Sequence, residues 1–329
     1  MENTRTATAV WYECGTTVRL HDEPLAKPNH NEVTVRALCS AVSRGTERLV
    51  LTGRVPPSEY ERMKGPFQAG DFPSPVKYGY CAVGVQEDGQ NAGRRVFALH
   101  PHQTRFVVPE TAVTPIPDRV PTRRATLAAN IETAITVVWD SHASLGDHVL
   151  VVGAGVVGLL VARLMHRIAG TSVTVCDVDA SKRTIAERLG ATFATPAEVA
   201  DGRYDVAVNA SACGEGLTTA LAALGPEGRV VEASWHGETC ATLPLGGPFH
   251  ARRLTIASSQ VGTIPPARAP RWTHARRMDL ALKLAEDDAL DALLTHEIEL
   301  ADTPEALAHL ILHEPSALAV TIRYPDAEG

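Results

Sequence analysis

Apolar and polar positions divide this chain into two unlike regions. Through the first 120 residues, short apolar runs (EVTVRAL, YGYCAVGVQ, RRVFAL, TRFVVP) are separated by proline and glycine, with no sustained helical period. That pattern predicts a mainly β region with irregular loops. One loop, 54–75 (RVPPSEYERMKGPFQAGDFPSP), is long and carries spaced aromatic residues. A loop of that length is a lid or binding wall, or else a surface excursion.

From residue 122 the period changes. TRRATLAANIETAITVVWDSHA predicts a helix, with Thr122 as its cap and Gly146 beyond its end. Strand 148–153, helix 156–169, strand 172–177, helix 181–189, strand 204–209, helix 214–224 and strand 228–233 then alternate. A further strand is predicted over 254–262, followed by a helical stretch, MDLALKLAEDDALDALL, and a final strand in SALAVTIRYP. Alternation with apolar strands specifies an α/β region with a parallel, doubly wound sheet. If the last strand returns to the β region, the alternating region is an insertion in it.

The turn between the first strand and helix of the alternating region carries the chemistry. VLVVGAGVVGLL presents Gly153, Gly155 and Gly158, and Asp177 ends the next apolar run, 24 positions beyond Gly153. Strand, glycine turn, helix, strand and acidic residue together are the context a dinucleotide site requires. Gly153 permits the tight turn, Gly155 lets the backbone approach a pyrophosphate, and Gly158 lets helix and strand pack closely. The helix N-terminus at Val156 and Val157 offers unpaired N–H groups to phosphate. Asp177 can accept hydrogen bonds from a ribose diol and repels a 2′-phosphate, so NAD is expected over NADP. The alternative is a glycine-rich structural turn.

The 329 residues exceed a typical single domain, and the net charge of −7 recruits neither nucleic acid nor an anionic membrane. There is no apolar run of spanning length, and MENTRTATAVWYECG lacks a basic region followed by an apolar core. Six cysteines (Cys14, Cys39, Cys81, Cys176, Cys213, Cys240) form no C-x-x-C pair. Their spacing fits neither a disulfide framework nor a zinc ribbon, which points to reducing cytoplasm.

ALCSAVSRGTE (37–47), KYGYCAVG (77–84), VLVVGAGVVG (149–158) and CDVDASKR (176–183) make the whole chain resemble the medium-chain dehydrogenase/reductase superfamily. The resemblance implies a GroES-like, mainly β catalytic domain over 1–122 and 263–329, and a Rossmann NAD-binding domain over 123–262. It also implies further cofactor contacts. Lys182 would touch the adenosine ribose, Arg44 the pyrophosphate and Thr133 the nicotinamide. Ser211 and Ala212 would lie beside the adenine, and Ala233 and Ser234 would end the strand facing the nicotinamide. A solvated helix charge is the alternative for Lys182, and a structural ion pair with Glu47 or a neighbour for Arg44. By the same resemblance, a homodimer would pair strand 254–262.

Where zinc members of this superfamily carry a ligand cysteine and a Gly-His-Glu, this chain has Ser43 and Gly79-Tyr80-Cys81. The third ligand would fall near Ala129 or Asn130. Four close structural-zinc cysteines are missing between Cys81 and Cys176. Zinc needs three protein ligands and an open position, so no zinc is expected. The chain looks closest to the zinc-free branch that includes bacteriochlorophyllide hydroxyethyl dehydrogenases.

A zinc-free site needs another acid/base group or oxyanion donor. Tyr80 and Ser43 stand at the lost ligand positions, with packing as the alternative. Glu132 adjoins Thr133, where a carboxylate could reach a substrate hydroxyl, with a helix N-terminal charge or a salt bridge as the alternative. Glu47 is a further carboxylate candidate. His100 and His102, in FALHPHQ, would share a face if extended, as a polar wall or proton relay. Trp235 and His236 would line the substrate's ceiling or form a surface loop. The expected function is NAD-dependent interconversion of a secondary alcohol and ketone on a polar small molecule such as a sugar, cyclitol or heterocycle. The rivals are an enoyl or quinone-type reductase and a catalytically idle NAD(H)-binding module.

Overall fold

The computed structural model describes residues 5–325, so the first four residues of the stretch MENTRTATAVWYECG lie outside the described residues. The chain forms two compact units: one runs through Ala129 and resumes at Met278, and the other is Asn130–Arg277. The sequence had suggested switches after 122 and 262. Two buried arginines explain the shift. Arg124 donates to both carboxylate oxygens of Asp291, at 2.8 and 2.6 Å, which ties the stretch before Ala129 to the first unit. Arg277 donates to Glu132 at 2.9 Å, which holds the stretch before Met278 to the second.

The first unit contains two sheets. A four-stranded sheet is built around the hairpin Thr6–Glu13 and Thr17–Pro24. A seven-stranded sheet is centred on Glu32–Val42, which pairs antiparallel with Ala82–Gln86, Arg105–Pro109 and the last strand, Val320–Arg323. The end of the chain therefore completes the sheet that its beginning started.

The second unit is a six-stranded, wholly parallel sheet. Its spatial order is Thr192–Ala194, Ser172–Cys176, His148–Val152, Tyr204–Asn209, Leu224–Glu232 and Thr255–Ser258. Such strands are buried on both faces and need continuous apolar runs. Val149, Leu150, Val151, Val206, Ala207 and Val208 supply them. Helices Val156–His166 and Gly214–Ala223 cover the sheet through Leu159, Leu160, Leu217 and Leu221. Chain order reverses beside His148–Val152, the switch point at which open α/β sheets bind ligands beyond their carboxyl ends.

Two local expectations change. The predicted helix from 122 is broken into Thr122–Ala125 and Ala128–Ser141, and Thr122 is not its cap. Pro121 holds that position, and the Thr122 hydroxyl accepts from Arg95 at 3.2 Å instead. The strand predicted over 254–262 is only Thr255–Ser258, because the Gln260 side chain accepts from the Gly262 N–H and turns the chain.

Candidate active site

In the second unit, the glycine turn leaves strand His148–Val152 and enters helix Val156–His166 with Gly155 at its N-cap. Gly153 has φ +104°, and a Cβ there would lie 2.7–2.8 Å from the Ala210 carbonyl and the Ser211 N–H nitrogen. A Cβ on Gly158 would run into the Gly153 carbonyl oxygen. Gly155, by contrast, has nothing within 4 Å of its Cβ position. Two glycines are thus forced by packing, and the third leaves open backbone beside the first-turn N–H groups of Val156, Val157 and Gly158.

Asp177 follows strand Ser172–Cys176. Its carboxylate accepts from the Ala154 N–H at 2.6 Å and the Asp179 N–H at 2.9 Å, tying the glycine turn to the neighbouring strand end. Lys182 is buried, with its ammonium 3.8 Å from Asp179, so it is not a solvated helix charge. Val178, between the two aspartates, is 86% exposed, an apolar side chain that the sequence reading passed over.

Beyond the middle strands lies a connected polar cluster. Asn209 and Glu232 are register partners and end their strands. Asn209 Nδ2 donates to Glu232 Oε2 at 2.7 Å, and its Oδ1 accepts from the Ser211 hydroxyl at 2.7 Å. The Ser234 N–H donates to Glu232 Oε1 at 2.8 Å, and the Ser234 hydroxyl accepts from the Ala212 N–H at 2.9 Å. The Ala233 N–H reaches the Asn209 carbonyl at 2.9 Å. Residues 211, 212, 233 and 234, singled out separately from the sequence, therefore belong to one network. Asn209 and Glu232 were missed. Their signal was present as a polar residue closing each of the apolar runs VAVN and VVE.

Glu132 and Thr133 lie on helix Ala128–Ser141. Glu132 is buried against Arg277, whose Nη1 also donates to Thr136 at 3.0 Å. Burial pushes the Glu132 carboxyl up, against the pull of Arg277. The salt-bridge alternative describes Glu132, while Thr133 stays half-buried.

In the first unit, Tyr80 is half-buried and hydrogen-bonded to the Ser43 and Thr46 side chains. Burial raises its hydroxyl pKa well above the ordinary tyrosine value, so near neutrality it is a proton donor and not a base. Beneath Ser43 runs a fully buried network. Glu47 accepts from the Tyr12 hydroxyl at 2.5 Å, from His102 Nε2 at 3.0 Å and from the Ser43 N–H at 2.7 Å. His102 Nδ1 continues to the Ser40 hydroxyl at 2.7 Å, and Ser40 to the Tyr324 hydroxyl at 2.8 Å.

Two further sequence candidates are committed to structure. Arg44 does not pair with Glu47; its guanidinium donates to the carbonyls of Ile311 and Ala317. His100 and His102 leave the strand Arg95–Ala98 before they occur, so they do not share a strand face. His100 stacks on Phe106 at 3.8 Å between ring centroids and on Phe67 at 5.6 Å. Its Nδ1 donates to the Pro101 carbonyl at 2.9 Å, and burial lowers its pKa to about 3. The ring is an aromatic packing element holding the 54–75 loop through Phe67, not a relay.

Residues 156–278 match the family model described as zinc-binding dehydrogenase. L-Idonate 5-dehydrogenase from Escherichia coli superposes with a TM-score of 0.80 at 14% identity, covering 97% of this chain and 99% of that one. A short chain alcohol dehydrogenase from E. coli CFT073, complexed with NADH, gives 0.77 at 16% identity over 97% and 99%. The fold is that of the medium-chain dehydrogenases. A curated relative, D-guloside 3-dehydrogenase of Escherichia coli, is 26% identical over 196 residues, 55% of this chain and 56% of that protein. The chain thus spans about half the length of the curated relatives it matches.

Within that dehydrogenase fold the two implied groups fare differently. The glycine turn, Asp177 and the open first-turn N–H groups fit a dinucleotide. Zinc does not fit: Ser43, Tyr80 and Ala129 or Asn130 offer a hydroxyl, a phenol and an aliphatic or amide side chain. Burial pushes the Cys39 thiol up to about 12 and the Cys81 thiol well above its ordinary value, so both are protonated near neutrality. Among the described residues, no group of three or more His, Cys, Asp or Glu could hold a metal ion. Nor is any helix among them long and apolar enough to cross a membrane.

Proposed function

We propose that this chain is an NAD-dependent dehydrogenase that interconverts a secondary alcohol and a ketone on a polyhydroxylated small molecule without zinc. The carrying observation is the glycine turn closed by Asp177, in which a side chain at Gly153 or Gly158 has no room. When bound, the dinucleotide supplies the two-electron redox chemistry. The protein's part is to hold it: first-turn N–H groups of Val156, Val157 and Gly158 for the pyrophosphate, Asp177 and Lys182 for the ribose, and Val178 against the flat base. Tyr80, Ser43 and Thr46 provide hydroxyls for a polar substrate. The D-guloside and L-idonate relatives support a substrate of the sugar or polyol class, and the NADH-bound relative supports a nicotinamide.

Titration with NADH and NADPH, followed by nicotinamide fluorescence, tests the cofactor assignment. We expect NADH to bind at least about tenfold more tightly, about 1.4 kcal/mol. Equal or stronger NADPH binding overturns the role of Asp177, and binding of neither overturns the function. A polyol, cyclitol and ketone panel read by nicotinamide absorbance then tests the reaction class. Reduction of activated alkenes with no alcohol oxidation would sink it.

The same proposal includes a homodimer. Strand Thr255–Ser258 ends the parallel sheet and leaves one edge unpaired within the chain, a feature that invites pairing with a second copy. Sedimentation is expected to give twice the chain mass of 35.1 kDa, and a monomer at micromolar concentration would refute it.

A further inference from the structure

The proposed reaction needs a group that takes a proton from the substrate hydroxyl, and Tyr80, His100 and Glu132 do not supply one. Tyr80 is held as a donor, His100 is packed between aromatic rings, and Glu132 is bound to Arg277. Among the described residues, four buried side-chain polar atoms lack a hydrogen-bond partner. Two of them, His236 Nδ1 and Ser259 Oγ, belong to residues that adjoin Glu232 at the carboxyl end of the parallel sheet. The Ser259 N–H donates to the Glu232 carbonyl at 3.0 Å. His236 Nε2 lies 3.5 Å from Glu232 Oε2.

From this we infer that His236, oriented by Glu232, is the catalytic residue that moves the substrate proton. This deepens the dehydrogenase reading and rests on it.

The arrangement has the three parts that such a role requires. Glu232 is itself fixed, with Oε2 accepting from Asn209 at 2.7 Å and Oε1 from the Ser234 N–H at 2.8 Å. The carboxylate 3.5 Å from Nε2 favours the Nε2–H tautomer of the imidazole, since it attracts a hydrogen on that nitrogen. Nδ1 is then left with a lone pair and no hydrogen-bond partner among the described residues. A buried nitrogen without a partner is a defect in a scaffold, but it is what a proton acceptor must offer a substrate. The 3.5 Å separation suits a bond that tightens as the ring gains charge. In oxidation, the substrate O–H bond breaks and its proton goes to Nδ1. The carbinol C–H bond breaks with its electron pair going to an oxidised nicotinamide, and the C–O bond becomes a carbonyl. The imidazolium returns its proton to water. Ketone reduction is the reverse.

His236→Gln, Glu232→Gln and His236→Ala in the full chain test this. With the best substrate of the polyol panel, His236→Gln is expected to lower turnover about 10²–10⁴-fold while NADH affinity stays within about threefold. Free imidazole should partly restore His236→Ala, a response that a packing role would not give. Selective ¹⁵N labelling of histidine, with His236 assigned from the spectrum of His236→Gln, provides a readout independent of turnover. An Nε2–H tautomer that becomes mixed in Glu232→Gln is expected. An Nδ1–H tautomer in the wild-type protein overturns the inference, as does a His236→Gln variant with full turnover. In either case the dehydrogenase reading stands. Absence of nucleotide binding and turnover in the wild type defeats that reading instead.

Discussion

Two polar clusters in this molecule use the same residue types to opposite ends. The cluster beneath Ser43 joins Tyr12, Glu47, His102, Ser40 and Tyr324, and one arrangement of protons satisfies every side-chain atom along it. Glu47 and His102 have no solvent exposure at all. The cluster around Glu232 also contains a glutamate, a histidine and serines, yet it stops short of saturation at His236 Nδ1 and Ser259 Oγ. A buried network with every bond made fixes the backbone around it, whereas one with atoms left over keeps capacity for a ligand. Residue type alone assigns neither role; the hydrogen-bond accounting does.

The sharpest way to break this comparison is to unsaturate the first cluster. Glu47→Ala removes the acceptor shared by Tyr12, His102 and the Ser43 N–H, leaving three buried donors unsatisfied. Loss of about 3–5 kcal/mol of unfolding free energy is expected, measured by denaturant titration. A loss below about 1 kcal/mol would show that the network contributes little to holding the unit.

That contrast also marks where the sequence was legible. The strands of the parallel sheet could be read because each is an uninterrupted apolar run, and burial on both faces demands nothing subtler. The glycine turn could be read because sterics at Gly153 and Gly158 admit no other residue. The Glu47–His102 pair could not, since its members are 55 positions apart and no local period records the pairing. Arg277 and Glu132 are 145 apart. His100 and His102 were misplaced for a related reason. Alternation tells which face a side chain takes only while the chain is a strand, and the strand ends at Ala98. The fold thus followed from local pattern, and the site residues nearest backbone constraints followed with it. The proton-carrying groups depend on partners brought together only by folding.

His100 gives a second, smaller test, through pH. Its folded pKa of about 3 lies below the unfolded histidine value of about 6.5. A depressed pKa of this kind contributes stability that is fully present above about pH 6.5 and is lost as pH falls toward 3, because the unfolded chain binds the proton first. At pH 5 the loss from this residue is roughly 2 kcal/mol. His100→Phe keeps an aromatic ring between Phe67 and Phe106 and removes the titration. The fall in melting temperature between pH 7 and pH 5 should therefore be shallower in the variant. Identical slopes in the two proteins would mean that the ring protonates without leaving its stack.

The finest test returns to His236 and asks about stability instead of turnover. If its unpartnered Nδ1 is retained for chemistry, the folded state tolerates an unsatisfied nitrogen for no structural return. His236→Phe replaces the ring with one of similar shape that has no polar atom to satisfy, and exchanging an unpaired buried polar group for an apolar one is neutral or stabilising. The expected change is between zero and about +1 kcal/mol, with turnover lost, the pattern in which stability and activity trade against one another at a working site. Glu47 has no such trade available, because every bond it makes stabilises the fold. A loss of more than about 2 kcal/mol in His236→Phe would place His236 with the scaffold, and the two clusters would then differ in completeness without differing in role.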